Sequence, residues 1–268
     1  MMGLRKYMCV AIAAVSMGLA GLGFAGEAKA VSLNDIIARG KVRIGVVTGA
    51  PPMGMVDEQG KPTGYDVDVA NVLGGYLSLP VELVPLTPPA RIPALQTGKV
   101  DFLVATLAPT GERAKTVMFT QPYSAFNMDI ISGPGQKFEK LDDLKGKRVA
   151  VNRGSSQETA LRKAAVPGLD IVVFEDDSTA AQAVIAGQAD AVALPSTVGE
   201  AIIKQRPDVQ LQVGFTFFQQ GNSMATKLQD FELRQWLNTS IYLMKISGDL
   251  DRIAIKWTGR PMPVLPTF

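Results

Sequence analysis

The 268-residue sequence has no histidine and a single cysteine, Cys9. Without imidazole there is no Ser-His or Cys-His dyad, and transition metals lose their usual nitrogen and sulfur ligands. Cys9 lies in an uncharged N-terminal run, so the rest of the chain has no thiol, no disulfide and no cysteine-linked lipid. A phosphate-binding P-loop is also missing. The Gly-Lys pairs Gly60-Lys61, Gly98-Lys99 and Gly146-Lys147 are followed by Pro62, Val100 and Arg148, where that motif needs Ser or Thr. Gly21-Leu22-Gly23-Phe24-Ala25-Gly26 fits the dinucleotide pattern literally but follows no strand, so it is a false match. These absences leave no expected cofactor or metal.

The N-terminus carries Arg5 and Lys6, then an uncharged stretch from Tyr7 to Gly26, then Ala28-Lys29-Ala30. A basic start, an apolar middle and a small-x-small site describe a secretory signal peptide spanning residues 1–30. Of the 27 basic and 25 acidic residues, Arg5, Lys6, Lys29 and Glu27 lie in that leader, so the remainder balances. A neutral mature chain argues against a nucleic-acid partner, which would need a basic surface. Beyond residue 30 no apolar run approaches membrane-spanning length. The expected location is the periplasm.

The whole sequence is 47% hydrophobic, enough for two lobes of ordinary domain size. Strands are expected at Val42–Val47, Val81–Leu86, Val100–Ala105, Asn127–Ser132, Arg148–Val151, Val172–Phe174 and Ala191–Leu194, with helices between them, which is an α/β pattern. Val209–Phe218 reads as a strand returning the chain to the first half. Leu95-Gln96-Thr97-Gly98-Lys99-Val100-Asp101 and Ile185-Ala186-Gly187-Gln188-Ala189-Asp190 share one grammar of helix, glycine stop, aspartate and buried strand. Two lobes of similar construction are expected: residues 31–126 plus 218–268 as lobe I, and 127–217 as lobe II.

The stretch from Ala105 to Tyr123 organises the functional reading. It follows the apolar run Phe102–Val104, so Arg113 comes shortly after a strand end, where an α/β sheet opens its ligand crevice. A guanidinium there can clamp a carboxylate, although an arginine in a polar helical turn is more often simply solvated. Gly154-Ser155-Ser156 opens a helix, and its free backbone amides can bind an anion or merely be capped. Together the two features would grip one carboxylate from both halves.

Seven segments in this order resemble the polar amino-acid-binding proteins of bacterial ABC importers: Gly64-Tyr65-Asp66-Val67-Asp68-Val69-Ala70, the run from Arg91 to Asp101, Thr110-Gly111-Glu112-Arg113, Phe119-Thr120-Gln121-Pro122-Tyr123, Gly154-Ser155-Ser156, Ser247-Gly248-Asp249-Leu250, and Lys256-Trp257-Thr258-Gly259. The resemblance implies an α/β two-lobe fold of the type II periplasmic-binding-protein class, with the lobes joined by two crossing strands and closing over the ligand. It implies that Arg113 holds a ligand α-carboxylate, helped by backbone near Thr106 and Ala108 and by the helix start at Ser155 and Ser156. Arg91, set in Arg-Ile-Pro-x-Leu, would contact a side-chain carboxylate, which favours an acidic amino acid, or else be a solvated helix-start residue. Pro52 and Met53, with Ala50, would fill the place of an aromatic stacker. The implied partners are a small carboxylate-bearing ligand and an inner-membrane ABC permease, with the protein acting as a monomer.

One position departs from the pattern. Where the family has an aspartate for the ligand α-ammonium, the chain has Pro195, followed by Ser196 and Thr197. Three explanations stay open: a register shift, substitution by another acid such as Asp176 or Asp177, or a ligand without an α-ammonium. An alternative function is an exported dehydratase on the same scaffold, with Glu158 or Asp66 as general acid.

Overall fold

The computed structural model describes residues 32–263. The first helix, α1 (Leu33–Arg39), opens on a capping box in which Ser32 Oγ accepts from the Asp35 amide and the Asp35 carboxylate accepts from the Ser32 amide. It stops at Gly40, whose φ of 72° a side chain would resist. Then come β1 (Val42–Val47), a small hairpin of β2 (Met55–Val56) and β3 (Pro62–Thr63), α2 (Tyr65–Leu77), β4 (Val81–Leu86), α3 (Arg91–Gln96), β5 (Phe102–Leu107) and α4 (Gly111–Ala114). The long strand β6 (Val117–Ser132) leads into β7 (Arg148–Asn152), α5 (Ser156–Ala164), β8 (Asp170–Phe174), α6 (Asp177–Ile185), β9 (Ala191–Pro195) and α7 (Ser196–Gln205). A second long strand, β10 (Gln212–Lys227), returns to α8 (Phe231–Ile246) and α9 (Asp249–Thr258).

Eight strands form one sheet in the order β4-β1-β5-β10-β6-β9-β7-β8. The outer strands on each side are parallel, β1 between β4 and β5, and β7 between β8 and β9. Strands covered by helices on both faces are apolar throughout, and for that reason β1 and β9 carry almost no polar residue. The two central strands are antiparallel and sixteen residues long each, paired from Gln212↔Ser132 to Lys227↔Val117 with several register shifts. The expected bounds were Asn127–Ser132 and Val209–Phe218. The partner strand extends each one: β6 begins at Val117 because Lys227 pairs there, and β10 runs on because Ala225 also pairs with Leu103 of β5. The structure is the mixed α/β, type II architecture. Residues 126/127 and 217/218 fall inside these two continuous strands.

The two halves repeat one device. Asp101 at the start of β5 accepts from the backbone and guanidinium of Arg43, both at 2.8 Å, and also pairs with Arg39. Asp190, just before β9, accepts from the backbone N–H of Arg148 at 2.8 Å and from its guanidinium at 3.0 Å. Each aspartate follows a glycine in the left-handed region, Gly98 or Gly187. The sequence echo is therefore a structural one, in which a carboxylate pins the start of the central parallel strand. Asp101 is fully enclosed, so its pairing matters more than that of the half-exposed Arg148.

Candidate functional site

The carboxyl ends of the parallel strands from the two halves face each other across a cleft floored by the long central strands. One wall carries Ala50, Pro88, Arg91, Thr106, Ala108 and Arg113; the other carries Asn152, Ser155, Ser156, Gln157, Asp177 and Pro195. Phe126 and Met128 of β6 and Gln220 of β10 lie between them.

Arg113 sits on α4, a single turn whose N-cap Thr110 accepts from the Arg113 amide at 3.2 Å. Its Nη1 donates to Ala108 O at 2.8 Å and its Nη2 donates across the cleft to Gly154 O at 2.8 Å. A guanidinium has five N–H donors, so three are left for a ligand. Burial lowers its pKa from the usual arginine value.

Ser155 is the N-cap of α5 and its hydroxyl accepts from the Glu158 amide at 3.0 Å. Ser156 donates its hydroxyl proton to Gln220 Oε1. The N–H groups of Ser156 and Gln157 at this helix start have no carbonyl partner among the described residues and carry the partial positive charge of the helix end. Gly154 sits at φ 68°, in the left-handed region that favours glycine, and its Cα faces Pro89 of the opposite wall.

Thr106 is held at φ 46°, a conformation that costs a β-branched residue energy. Its N–H donates to the Tyr123 hydroxyl at 3.1 Å, and Tyr123 donates to Asp66 Oδ1 at 2.7 Å. Asp66 is enclosed beneath the cleft and does not reach its wall. Burial raises its pKa from 3.8 to about 7, opposed by the hydrogen bonds from Tyr123 and the Thr106 backbone and by the charge of Arg91.

Arg91 corrects one expectation. It is 5% exposed, so it is not a solvated helix-start residue. Its Nε donates to Pro88 O at 2.8 Å, and its Nη1 donates to Ala105 O at 3.0 Å and Thr106 O at 3.4 Å. Burial, then the charge of Arg113, lowers its pKa from 12.5 to about 9. Its first task is to tie the end of β5 to the start of α3; only Nη2 is left toward the cleft.

Met53 and Pro52 are also placed differently. The loop closes on itself through paired bonds between Ala50 and Gly54, at 2.9 and 3.0 Å, and this turns Met53 into the core with Ile44 and Tyr65. Pro52 uses its carbonyl to accept from the Tyr65 amide. Of that loop, Ala50 reaches the cleft. The six other expected residues, Arg113, Arg91, Thr106, Ala108, Ser155 and Ser156, come together.

Pro195 does lie on the cleft, paired with Met128 of β6. The nearest acids in sequence, Asp190 and Glu200, are engaged with Arg148 and Arg260. The acid on the cleft wall is Asp177, the first residue of α6 and 4% exposed. Its Oδ1 accepts from Asn152 Nδ2 at 2.7 Å and Gln157 Nε2 at 3.4 Å. Burial raises its pKa from 3.8 to about 7, opposed by Arg91 and reinforced by Asp176. Asp176 itself is spent as the helix N-cap, accepting from the Thr179 N–H and hydroxyl, both at 2.8 Å. The run Asp176-Asp177-Ser178-Thr179, two acids at a helix start, is the sequence signal. Asn152, Gln157 and Gln220 had no local signal, since their roles depend on which strand ends meet. Glu158 faces away, bonded to the Gly154 amide and to Arg162.

Among the described residues, no helix is long and apolar enough to cross a membrane and no cluster of acids could hold a metal ion. Residues 1–31, including the expected leader, lie outside the described residues.

Residues 42–260 match the family described as bacterial extracellular solute-binding proteins, family 3. The L-cystine-binding protein TcyJ of Escherichia coli (strain K12) is 27% identical over 96% of both chains. Among solved structures, an ancestral arginine-binding protein bound to glutamine is 36% identical with a TM-score of 0.78, covering 83% of this chain and 99% of that one. The ancestral amino acid-binding protein AncCDT-1, a precursor of cyclohexadienyl dehydratase, is 33% identical with a TM-score of 0.78, over 84% and 98% of the two chains.

Proposed function

The chain belongs to the bacterial extracellular solute-binding proteins of family 3, and from that premise we propose that it captures an amino acid in the periplasm and delivers it to an inner-membrane ABC permease. In this reading the leader is cleaved, the mature protein is a monomer, and it catalyses no reaction. Residues 31–126 with 218–268 and residues 127–217 act as two lobes that hinge on β6 and β10.

One observation carries the reading. Arg113 on one wall and the open amides of Ser156 and Gln157 on the other converge on the same cleft. A carboxylate placed there receives charge-assisted bonds from a guanidinium and a helix N-terminus, and so holds the walls together. Thr106 and Ala108 supply backbone on the Arg113 side, and Ser155 keeps the helix start in shape. A polar side chain fits the remaining wall better than an acidic one, because Arg91 spends two of its nitrogens on backbone carbonyls and faces Asp177.

A thermal-shift screen of amino acids and dicarboxylates tests this. A ligand at a hundredfold excess over its Kd stabilises by about 2.7 kcal/mol. If no amino acid raises the melting temperature, the reading fails.

The second reading, an exported dehydratase acting on a cyclic carboxylate, draws on Asp177, a buried carboxyl in the cleft with a pKa near 7 and so able to hold a proton at neutral pH. Turnover of prephenate would establish it.

A further inference from the structure

The cleft wall formed by Asn152 and Asp177 has acceptors without donors. Asp177 Oδ1 takes two amide N–H groups, while no hydrogen bond from a described residue reaches its Oδ2. Asn152 commits its Nδ2 to Asp177, and its Oδ1 is enclosed with no partner. Both residues line the cleft and both are at least nine-tenths buried. An enclosed acceptor without a donor is costly, and a group carrying several N–H donors would satisfy Asn152 Oδ1 and also meet Asp177 Oδ2.

Charge points the same way. The charged residues on the cleft wall are Arg91, Arg113 and Asp177, with Asp66 beneath. Arg113 and the start of α5 serve a ligand carboxylate, which leaves Asp177 as the wall acceptor for a ligand group that brings N–H donors and positive charge. That charge has one carboxylate to meet on the wall, because Asp176 and Glu200 are engaged elsewhere and position 195 is a proline.

Resting on the amino-acid reading above, we propose that Asp177 and Asn152 form the ammonium subsite of this cleft, taking the role that an acid at position 195 would otherwise play. The ligand class is then a carboxylate that also carries a primary amine, and carboxylates without an amine are poor ligands. Gln157 acts on the ligand indirectly, by holding the carboxylate of Asp177. The groups that face Asp177 electrostatically are Arg91 from α3 and Asp176 beside it.

The experiment uses the mature chain. The twenty standard amino acids, L-cystine, and ω-amino acids from β-alanine to 6-aminohexanoate are screened by thermal shift. The tightest binder is then compared by calorimetry with its des-amino analogue, on the unmutated protein and on Asp177→Asn. The amine-bearing compound is expected to bind at least about 30-fold tighter than its analogue, which corresponds to one charge-assisted bond made or lost. Asp177→Asn should erase that preference and leave the analogue's affinity within about threefold, the discrimination following the charge rather than the fold. The comparison on the unmutated protein needs no variant, so misfolding of Asp177→Asn would not spare the proposal. Equal binding of amine and des-amino compounds, or a preference that survives Asp177→Asn, overturns this subsite alone. Binding of no amino acid at all overturns the transport reading as well. Whether α- or ω-amines win sets the spacing between clamp and subsite.

Discussion

Arg113 Nη2 donates to the backbone carbonyl of Gly154 at 2.8 Å, a bond that runs from one wall of the cleft to the other. The same side chain therefore lines the cleft and touches the opposite half. Arg113→Ala should remove binding of every carboxylate, a loss of about 3 to 5 kcal/mol if the ligand anion is left without its buried partner. Arg113→Lys should recover little, because an ammonium cannot span Ala108 O and Gly154 O while facing a carboxylate. Calorimetry on both variants checks this; near-normal affinity in Arg113→Lys would refute the bidentate role.

Arg91→Ala should act chiefly on stability. Its guanidinium serves three backbone carbonyls, and its charge acts on both Asp177 and Asp66. Removing it leaves those groups enclosed and uncompensated, at a cost of about 3 to 5 kcal/mol. Urea unfolding at pH 7 measures it, and a loss below about 1 kcal/mol would mean that Arg91 is more open than its bonding indicates.

Asp66 and Asp177 make stability fall as pH rises. Each has a folded pKa of about 7 against an ordinary 3.8, so between those values the folded chain keeps protons that the unfolded chain has released. The stability is fully present below the unfolded pKa and is lost as pH climbs toward 7, at a few kcal/mol per acid. Urea unfolding at pH 5 and pH 8 should show the ligand-free protein more stable at pH 5. Asp66→Asn should flatten the slope, and a slope of the opposite sign would contradict the assignment.

Thr106→Gly should cost less stability than a Thr→Gly change in an ordinary strand, and can raise stability. The left-handed φ of 46° costs threonine about 1 to 3 kcal/mol that glycine does not pay. Denaturant midpoints compared with a control such as Thr226→Gly, in the regular part of β10, test this.

Tyr123→Phe removes a hydroxyl that donates to Asp66 and accepts from the Thr106 amide. About 2 kcal/mol or more should be lost, since two enclosed partners lose a bond together. The effect should shrink at acidic pH, where Asp66 is protonated and needs its donor less.

Local residue patterns by themselves determined the class of fold, most of the element positions and the place of Arg113 on the cleft. Hydrophobic periodicity, helix stops such as Gly98 and Gly187 and the repeated aspartate are short-range signals, and six of the eight expected site residues lie at strand ends or helix starts that such signals mark. The tertiary structure decided the rest. It turned Met53 inward through the Ala50–Gly54 closure and enclosed Arg91 among backbone carbonyls. It lengthened β6 and β10 through their mutual pairing, and it brought Asn152, Asp177 and Gln220 to the cleft from separate elements. Which way a side chain faces, and how much its burial shifts its charge, depends on partners distant in sequence, and so neither is written in the residues next to it.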